Sequence, residues 1–295
     1  MKHIWTLTLI RIRLALRSRT FIFFSLMMPL TFLFFFAAVF SKRNSEVIAY
    51  ILGAVLALTV MGSFWGLSMQ LVMFREQGIL RRFRLAPVGA GAMLGSSILS
   101  NYFLVLPTVL VEFLVSRWVF GLHTWGNLWA VFALVSIGAA TFSAFGLIVA
   151  SVTNTMQETQ VINNLVWSAF LFLSGATIPL VIFPGWIQHV ALFLPATYLA
   201  TGLEGAMLKV VGVREVAGDI IALAVGLVVA FEVSRQLFRW EPEAKVSGRA
   251  KLWVVVVMVP FLLFGLWENV YGARLTRLRQ NFQAFSERGP QNPTK

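Results

Sequence analysis

The 295-residue chain contains no cysteine. Disulfides, thiolate metal sites and cysteine nucleophiles are therefore excluded. Charge is scarce: Asp, Glu, Lys and Arg together make up 12% of the residues, against about a quarter in a soluble domain. Acids are the scarcer sign, with 12 Asp+Glu against 24 Lys+Arg, and Asp219 is the only aspartate. No carboxylate pair, Gly-x-Ser-x-Gly elbow or His-Glu-x-x-His motif argues for catalysis. The three histidines, His3, His123 and His189, lie far apart without ligand spacing, so no metal site is expected. There is no Gly-x-x-x-x-Gly-Lys-Ser/Thr loop to cradle phosphates, and no Asn-x-Ser/Thr acceptor. These absences point away from an enzyme.

What the chain has in abundance is apolar surface: 58% hydrophobic residues, including 27 Phe and 10 Trp, and a mean hydropathy of +0.81. A water-soluble fold of this size cannot hide that much, so lipid must be part of its solvent. The net charge of +12 and pI near 11.1 would suggest nucleic acid in a soluble protein. Here the basic residues lie between apolar runs. They are better read as contacts with the headgroups of the lipid bilayer and as topology signals, with no nucleic acid partner.

A helix rises about 1.5 Å per residue, so a hydrocarbon core of about 30 Å needs about 20 apolar residues. Six stretches meet or approach this length: Phe21–Phe40, Val47–Met73, Ala92–Val115, Leu128–Val152, Val161–Ile182 and Val216–Ser234. A seventh run, Leu252–Trp267, is shorter, contains Pro260 and is flanked by Trp253 and Trp267. It is expected to reach most of the way across. The first run follows a long basic stretch and has no small-x-small cleavage site, so a cleaved signal peptide is not expected. The preceding Ile4–Arg19 interleaves Trp5, Leu7, Leu9, Ile12, Leu14 and Leu16 with Arg11, Arg13 and Arg17, which suits a helix lying in the interface.

Arginine and lysine orient the spans. With six crossings, the N-terminus, the loop after the second span and the stretch after the sixth share one side. That side carries 14 of the 24 Lys+Arg. The other side holds Lys42, Arg43, Arg117, Lys209 and Arg214. The positive-inside rule makes the richer side cytoplasmic. The expectation is a multi-pass protein of the plasma (inner) membrane with a cytoplasmic N-terminus. A span at Leu252–Trp267 would put Arg274, Arg277, Arg279, Arg288 and Lys295 outside, against that bias.

The most informative cytoplasmic stretch is Phe74–Val88. Ile79, Leu80 and Phe83 can form one face of a short helix, with Arg81, Arg82 and Arg84 turned to water or a partner. Pro87 and the glycines at 89 and 91 stop it before the third span. Read from composition alone, this is a basic loop obeying the charge rule.

The run Arg75-Glu76-Gln77-Gly78, then Leu80-Arg81-Arg82, then Ala86-Pro87-Val88 resembles the loop between the second and third spans of ABC-2-type ABC transporter permeases, with Ile79 where Thr is common. Asn154–Gln160 with Asn163-Asn164 is similar to that family's polar approach to the fifth span. The strongest match is Leu173-Ser174-Gly175, Ile178-Pro179, Phe183-Pro184-Gly185-Trp186, Leu194-Pro195-Ala196-Thr197-Tyr198-Leu199 and Gly202-Leu203. The likeness covers about residues 1–235.

The resemblance implies an all-α integral membrane fold: a six-span bundle with an N-terminal connecting helix and outer re-entrant helices. It implies a transmembrane domain at 1–235, leaving 236–295 as a C-terminal extension with the seventh run (252–267) and a basic tail. It further implies a transport subunit of an exporter, a homodimer served by two copies of an ABC ATPase subunit. ATP and Mg would be held on that partner, with no cofactor on this chain. Arg75, Glu76, Gly78, Arg81, Arg82 and Pro87 are then expected to couple to the ATPase. Pro184, Gly185, Trp186, Pro195 and Tyr198 fall in the outer re-entrant region. That region is independently too broken for one straight span and too apolar for a solvated loop.

Charges within apolar segments are costly and so informative. Glu112, late in the third span, is expected either to pair with Arg117 at the outer interface or to face a pathway. Asp219 is expected to favour a helix N-terminus. Glu232 lies near Arg235 and Arg239. Two rival functions remain: a secondary transporter or channel that needs no ATPase, and an ATPase-binding membrane assembly factor. The substrate is not readable from the sequence; an aromatic, apolar interior suits a lipophilic or amphipathic molecule.

Overall fold

A computed structural model describes residues 2–40, 44–83, 89–208, 214–240, 248–272 and 274–287. All regular structure among them is helical. Helix α1 (Lys2–Arg17) precedes α2 (Arg19–Phe40), and α3 (Ser45–Met61) runs into α4 (Ser63–Glu76) across Gly62. The short α5 (Ile79–Phe83) is followed by α6 (Ala90–Trp118), α7 (Leu128–Val152) and α8 (Met156–Leu173). A 3₁₀ turn at Leu180–Ile182 leads to α9 (Gly185–Ala191) and α10 (Pro195–Leu208). Helices α11 (Ala217–Leu237), α12 (Gly248–Val270) and α13 (Arg274–Glu287) complete the chain.

By length and composition, α2, α3–α4, α6, α7 and α11 can each cross a membrane. Two bent pairs, α9 with α10 and α12 with α13, raise the number to as many as seven. Helix α7 is the central element. It packs against α11, α4, α6, α10 and α3, and most of its residues are buried. Its sequence has few polar groups, so burial on all sides costs little. By contrast α2 leaves Phe23, Phe24, Phe34 and Phe35 exposed, as expected of a helix whose surroundings are lipid or another protein.

Helix α1 lies against α6. Trp5 meets the Phe103 ring edge-on at 6.1 Å, while Leu9, Ile10, Leu14 and Leu16 stay exposed. The helix expected from its leucines and arginines is present.

One span differs from its hydropathy outline. The fifth was expected at Val161–Ile182, but α8 begins at Met156 and ends at Leu173. Its start is set by Thr155, whose side chain accepts the Glu158 N–H at 3.1 Å, while Glu158 Oε2 accepts the Asn154 N–H at 2.8 Å. This Thr-x-x-Glu arrangement is a capping box shifted back by one residue. Its end is set by Gly175, whose φ of 91° no ordinary residue adopts without strain. Pro179 then precedes the 3₁₀ turn.

The C-terminal helices belong to the same bundle. Phe261 of α12 is fully buried, filling the space that Gly226 of α11 leaves open and meeting the rings of Phe145 and Tyr198. Farther along, Asn269 bonds to His189 of α9. Helix α12 thus runs alongside α11 to the end of the bundle where α9 and α10 lie.

Candidate functional site: two ends of the bundle

The first end is built around α4, α5 and the turn between them. Gln77 N–H donates to the Met73 carbonyl at 3.0 Å and Gly78 N–H to the Arg75 carbonyl at 3.0 Å. Gly78 has φ 69°, the left-handed conformation that ends many helices. The chain can therefore reverse at once into α5. Leu80 is 1% exposed and anchors α5 in a cluster with Leu71, Leu94 and Leu147. Arg81 and Arg82 are exposed. A short helix thus sits on an apolar root and presents two guanidinium groups outward. Pro87 and Arg84 lie outside the described residues.

The six expected coupling residues are placed in different ways. Arg75 faces into the bundle and is 3% exposed. It donates to the carbonyls of Ala150 at 2.8 Å and Thr153 at 2.7 Å. These belong to the C-terminus of α7, where unpaired carbonyls and the helix dipole favour a cation. Glu76 is exposed, and its Oε1 accepts the Met156 N–H at 2.8 Å, so it holds the first turn of α8. Arg75 and Glu76 therefore tie α4 to α7 and α8 from behind α5, while Arg81 and Arg82 form the outward face.

A further arginine joins this end. Arg239, just after α11, donates to the carbonyls of Thr153 at 2.7 Å and Ser151 at 3.2 Å, and to Asn154 Oδ1 at 3.2 Å. Burial lowers its pKa from the ordinary arginine value. Its role was hidden in the sequence, because Arg239 and the end of α7 are more than 80 residues apart. The signal that could have found it is the helix C-terminus at Val152, which lacks a capping glycine and ends in bare carbonyls.

The opposite end contains a bent helix pair. Helices α9 and α10 meet at 99°, with Pro195 as the first residue of α10, where its missing N–H costs nothing. Thr197 Oγ1 donates to the Ala191 carbonyl at 2.6 Å and Tyr198 OH to the Leu192 carbonyl at 2.9 Å. These two bonds satisfy the end of α9. Pro184 and Gly185 open α9. Trp186 is 70% exposed, consistent with an interfacial position. The two short helices expected from the breaks at Pro184, Gly185 and Pro195 are therefore present.

An ionic cluster seals this end. Arg274 of α13 bonds Asp219 of α11 at 2.5 Å and Glu268 of α12 at 3.2 Å. It also donates to Thr201 Oγ1 at 2.9 Å and lies 4.6 Å over the Tyr198 ring. Asp219 does more than favour a helix N-terminus: it is 7% exposed and anchors the C-terminal strap. Arg279 reaches Gln188 of α9 at 3.0 Å. Of the basic residues that weigh against placing α13 at this end, Arg274 is thus met by two carboxylates.

Glu112 and Arg117 are not brought together. Arg117 donates to the Leu122 carbonyl and lies 5.8 Å over the Trp125 ring. Glu112 is fully buried between α6 and α3, accepting a bond from Thr59 Oγ1. Among the described residues no group of His, Asp or Glu is arranged to hold a metal ion.

The family model described as "ABC-2 type transporter" matches residues 2–208, from α1 to the end of α10. Over 161 residues the chain is 28% identical to the linearmycin resistance permease protein LnrN of Bacillus subtilis (strain 168), covering 55% of this chain and 42% of that protein. Over 193 residues it is 23% identical to the putative transport permease YvfS of the same organism, covering 64% of this chain and 78% of the relative. The match therefore spans less than half of LnrN and most of YvfS. With a folded core from α1 to α10 that carries the family's pattern throughout, this chain belongs to the ABC-2 type transporter family.

Proposed function

We propose that this chain is the membrane subunit of an ATP-driven exporter, powered by ATPase subunits on separate chains. The observation that carries the reading is α5: a five-residue helix rooted by Leu80, with Arg81 and Arg82 presented outward. Behind it, Arg75 and Glu76 connect its base to α7 and α8. A push on α5 would reach two further helices through bonded groups rather than through a flexible loop. Two copies of the chain, served by two ATPase subunits binding ATP and Mg, would enclose a path for a lipophilic or amphipathic molecule. The named resistance function of LnrN supports export of an inhibitory compound. The coupling end would face the cytoplasm of a cell bounded by this plasma (inner) membrane, with α1 on the same side.

Reconstitution with the cognate ATPase tests this. Arg81→Glu is expected to abolish most of the permease-dependent stimulation of ATP hydrolysis while leaving membrane insertion intact. Glu76→Ala is expected to lower it in part. Stimulation unchanged in both would overturn the coupling assignment. The buried Glu112 favours a second reading, an ion-coupled transporter. Transport by vesicles free of nucleotide would select it.

A further inference from the structure

A cavity borders the middle of the second span. The cavity, of about 210 Å³, lies between α2, the α3–α4 junction and α6, with Trp167 of α8 on its edge. One wall is aromatic, with Phe24, Phe32 and Trp167. The other carries the hydroxyls of Thr59, Ser63 and Thr108. Phe24 is 64% exposed, so the cavity opens past it.

Two polar groups here lack partners among the described residues. Ser63 Oγ lines the cavity, is 4% exposed as a residue and makes no hydrogen bond. Directly behind the wall, Thr59 Oγ1 donates to Glu112 Oε1, while Glu112 Oε2 has no partner. No ion pair among the described residues reaches Glu112, and Arg117 is turned to the Leu122 carbonyl. A fully buried carboxyl with one oxygen unmatched is expensive to keep. Its neighbours supply hydroxyls and aromatic faces but no cation.

We propose that this cavity binds amphipathic organic cations, with Glu112 supplying the opposite charge behind the hydroxyl wall and the aromatic wall facing the cation. Aromatic faces attract cations through their quadrupole, most strongly where water is excluded. The carboxylate adds attraction that a low-dielectric setting enlarges. An anion of equal size would meet repulsion from the aromatic faces and from the carboxylate behind the hydroxyls. The inference names a substrate class for the proposed exporter and rests on that reading only in calling the ligand a substrate.

The test is equilibrium dialysis of the full chain in detergent micelles against tetraphenylphosphonium, with protein-free micelles subtracted. Tetraphenylborate serves as the size-matched anion. Saturable binding of the cation and none of the anion is expected. Glu112→Gln, which keeps an acceptor for Thr59, is expected to weaken cation binding at least tenfold. Glu112→Asp is expected to recover part of it. Absence of saturable cation binding, equal binding of both ions, or equal binding by wild type and Glu112→Gln would overturn the proposal. So would a Glu112→Asp variant that binds no better than Glu112→Gln. The assay contains no ATPase or nucleotide, so its failure leaves the coupling proposal standing. Loss of coupling in Arg81→Glu likewise leaves the cavity untouched.

Discussion

At the α5 end of the bundle, Arg75 and Arg239 donate chiefly to main-chain carbonyls at the close of α7. At the α9–α10 end, Arg274 is met by two carboxylates, a hydroxyl and a ring. The same residue type thus serves two mechanical purposes. Bonds to carbonyls hold a helix terminus in place, while Arg81 and Arg82 stay exposed at the same end, available to lipid headgroups or an acidic partner surface. A buried ion pair cancels its own charge and is costly to separate. The first arrangement suits an end that receives a partner and moves. The second suits an end that must stay shut until enough force arrives.

The largest loss of stability is expected at Arg274. Arg274→Ala leaves Asp219 and Glu268 buried without their cation, and a loss of about 3–5 kcal/mol is expected. Thermal unfolding in detergent reads this as a clearly lowered Tm. The triple change Arg274→Met, Asp219→Asn, Glu268→Gln is expected to recover much of it, because no unpaired charge remains. A single variant as stable as wild type would remove the contrast between the ends.

Arg75→Leu is the matching change at the other end. It removes two charge-assisted bonds to carbonyls, and about 2–3 kcal/mol is expected to be lost. Its sharper signature is functional: stimulation of the ATPase should fall even in variants that remain folded, since α4 is no longer tied to α7. Smaller still is Gly78→Ala. With φ at 69°, the added Cβ is expected to cost about 1 kcal/mol, while nothing within 4 Å crowds it. Its effect on stability should therefore be backbone strain alone. Thr155→Ala removes the cap of α8 and should also cost about 1 kcal/mol.

Much of this architecture could be read in the sequence, and the misses have physical causes. Leu128–Val152 is the same stretch in the hydropathy reading and in α7, because Asn127 caps its start and the apolar run ends where the helix does. The short α5 was visible in Ile79, Leu80 and Phe83. The fifth span was misplaced because hydropathy cannot distinguish helical Phe172 from the apolar but non-helical stretch after Gly175. It also undervalued Gln157 and Glu158, which the Thr155 cap draws into the first turn. The Arg274–Asp219 pair joins residues 55 positions apart, a distance over which no local periodicity operates. Arg75 stood within a recognisable motif, yet whether it faced outward or into the bundle depended on the end of α7, which only the fold brings near.

The central claim is that these two differently tethered ends lie on opposite faces of the membrane, with α5 on the cytoplasmic one. The absence of cysteine makes the decisive measurement direct. Arg82→Cys and Gln280→Cys, both at exposed positions, can be labelled with a membrane-impermeant maleimide in intact cells and in inverted vesicles. The account predicts that Gln280→Cys reacts only in intact cells and Arg82→Cys only in inverted vesicles. Labelling of Arg82→Cys from outside, or of both positions from the same side, would contradict it.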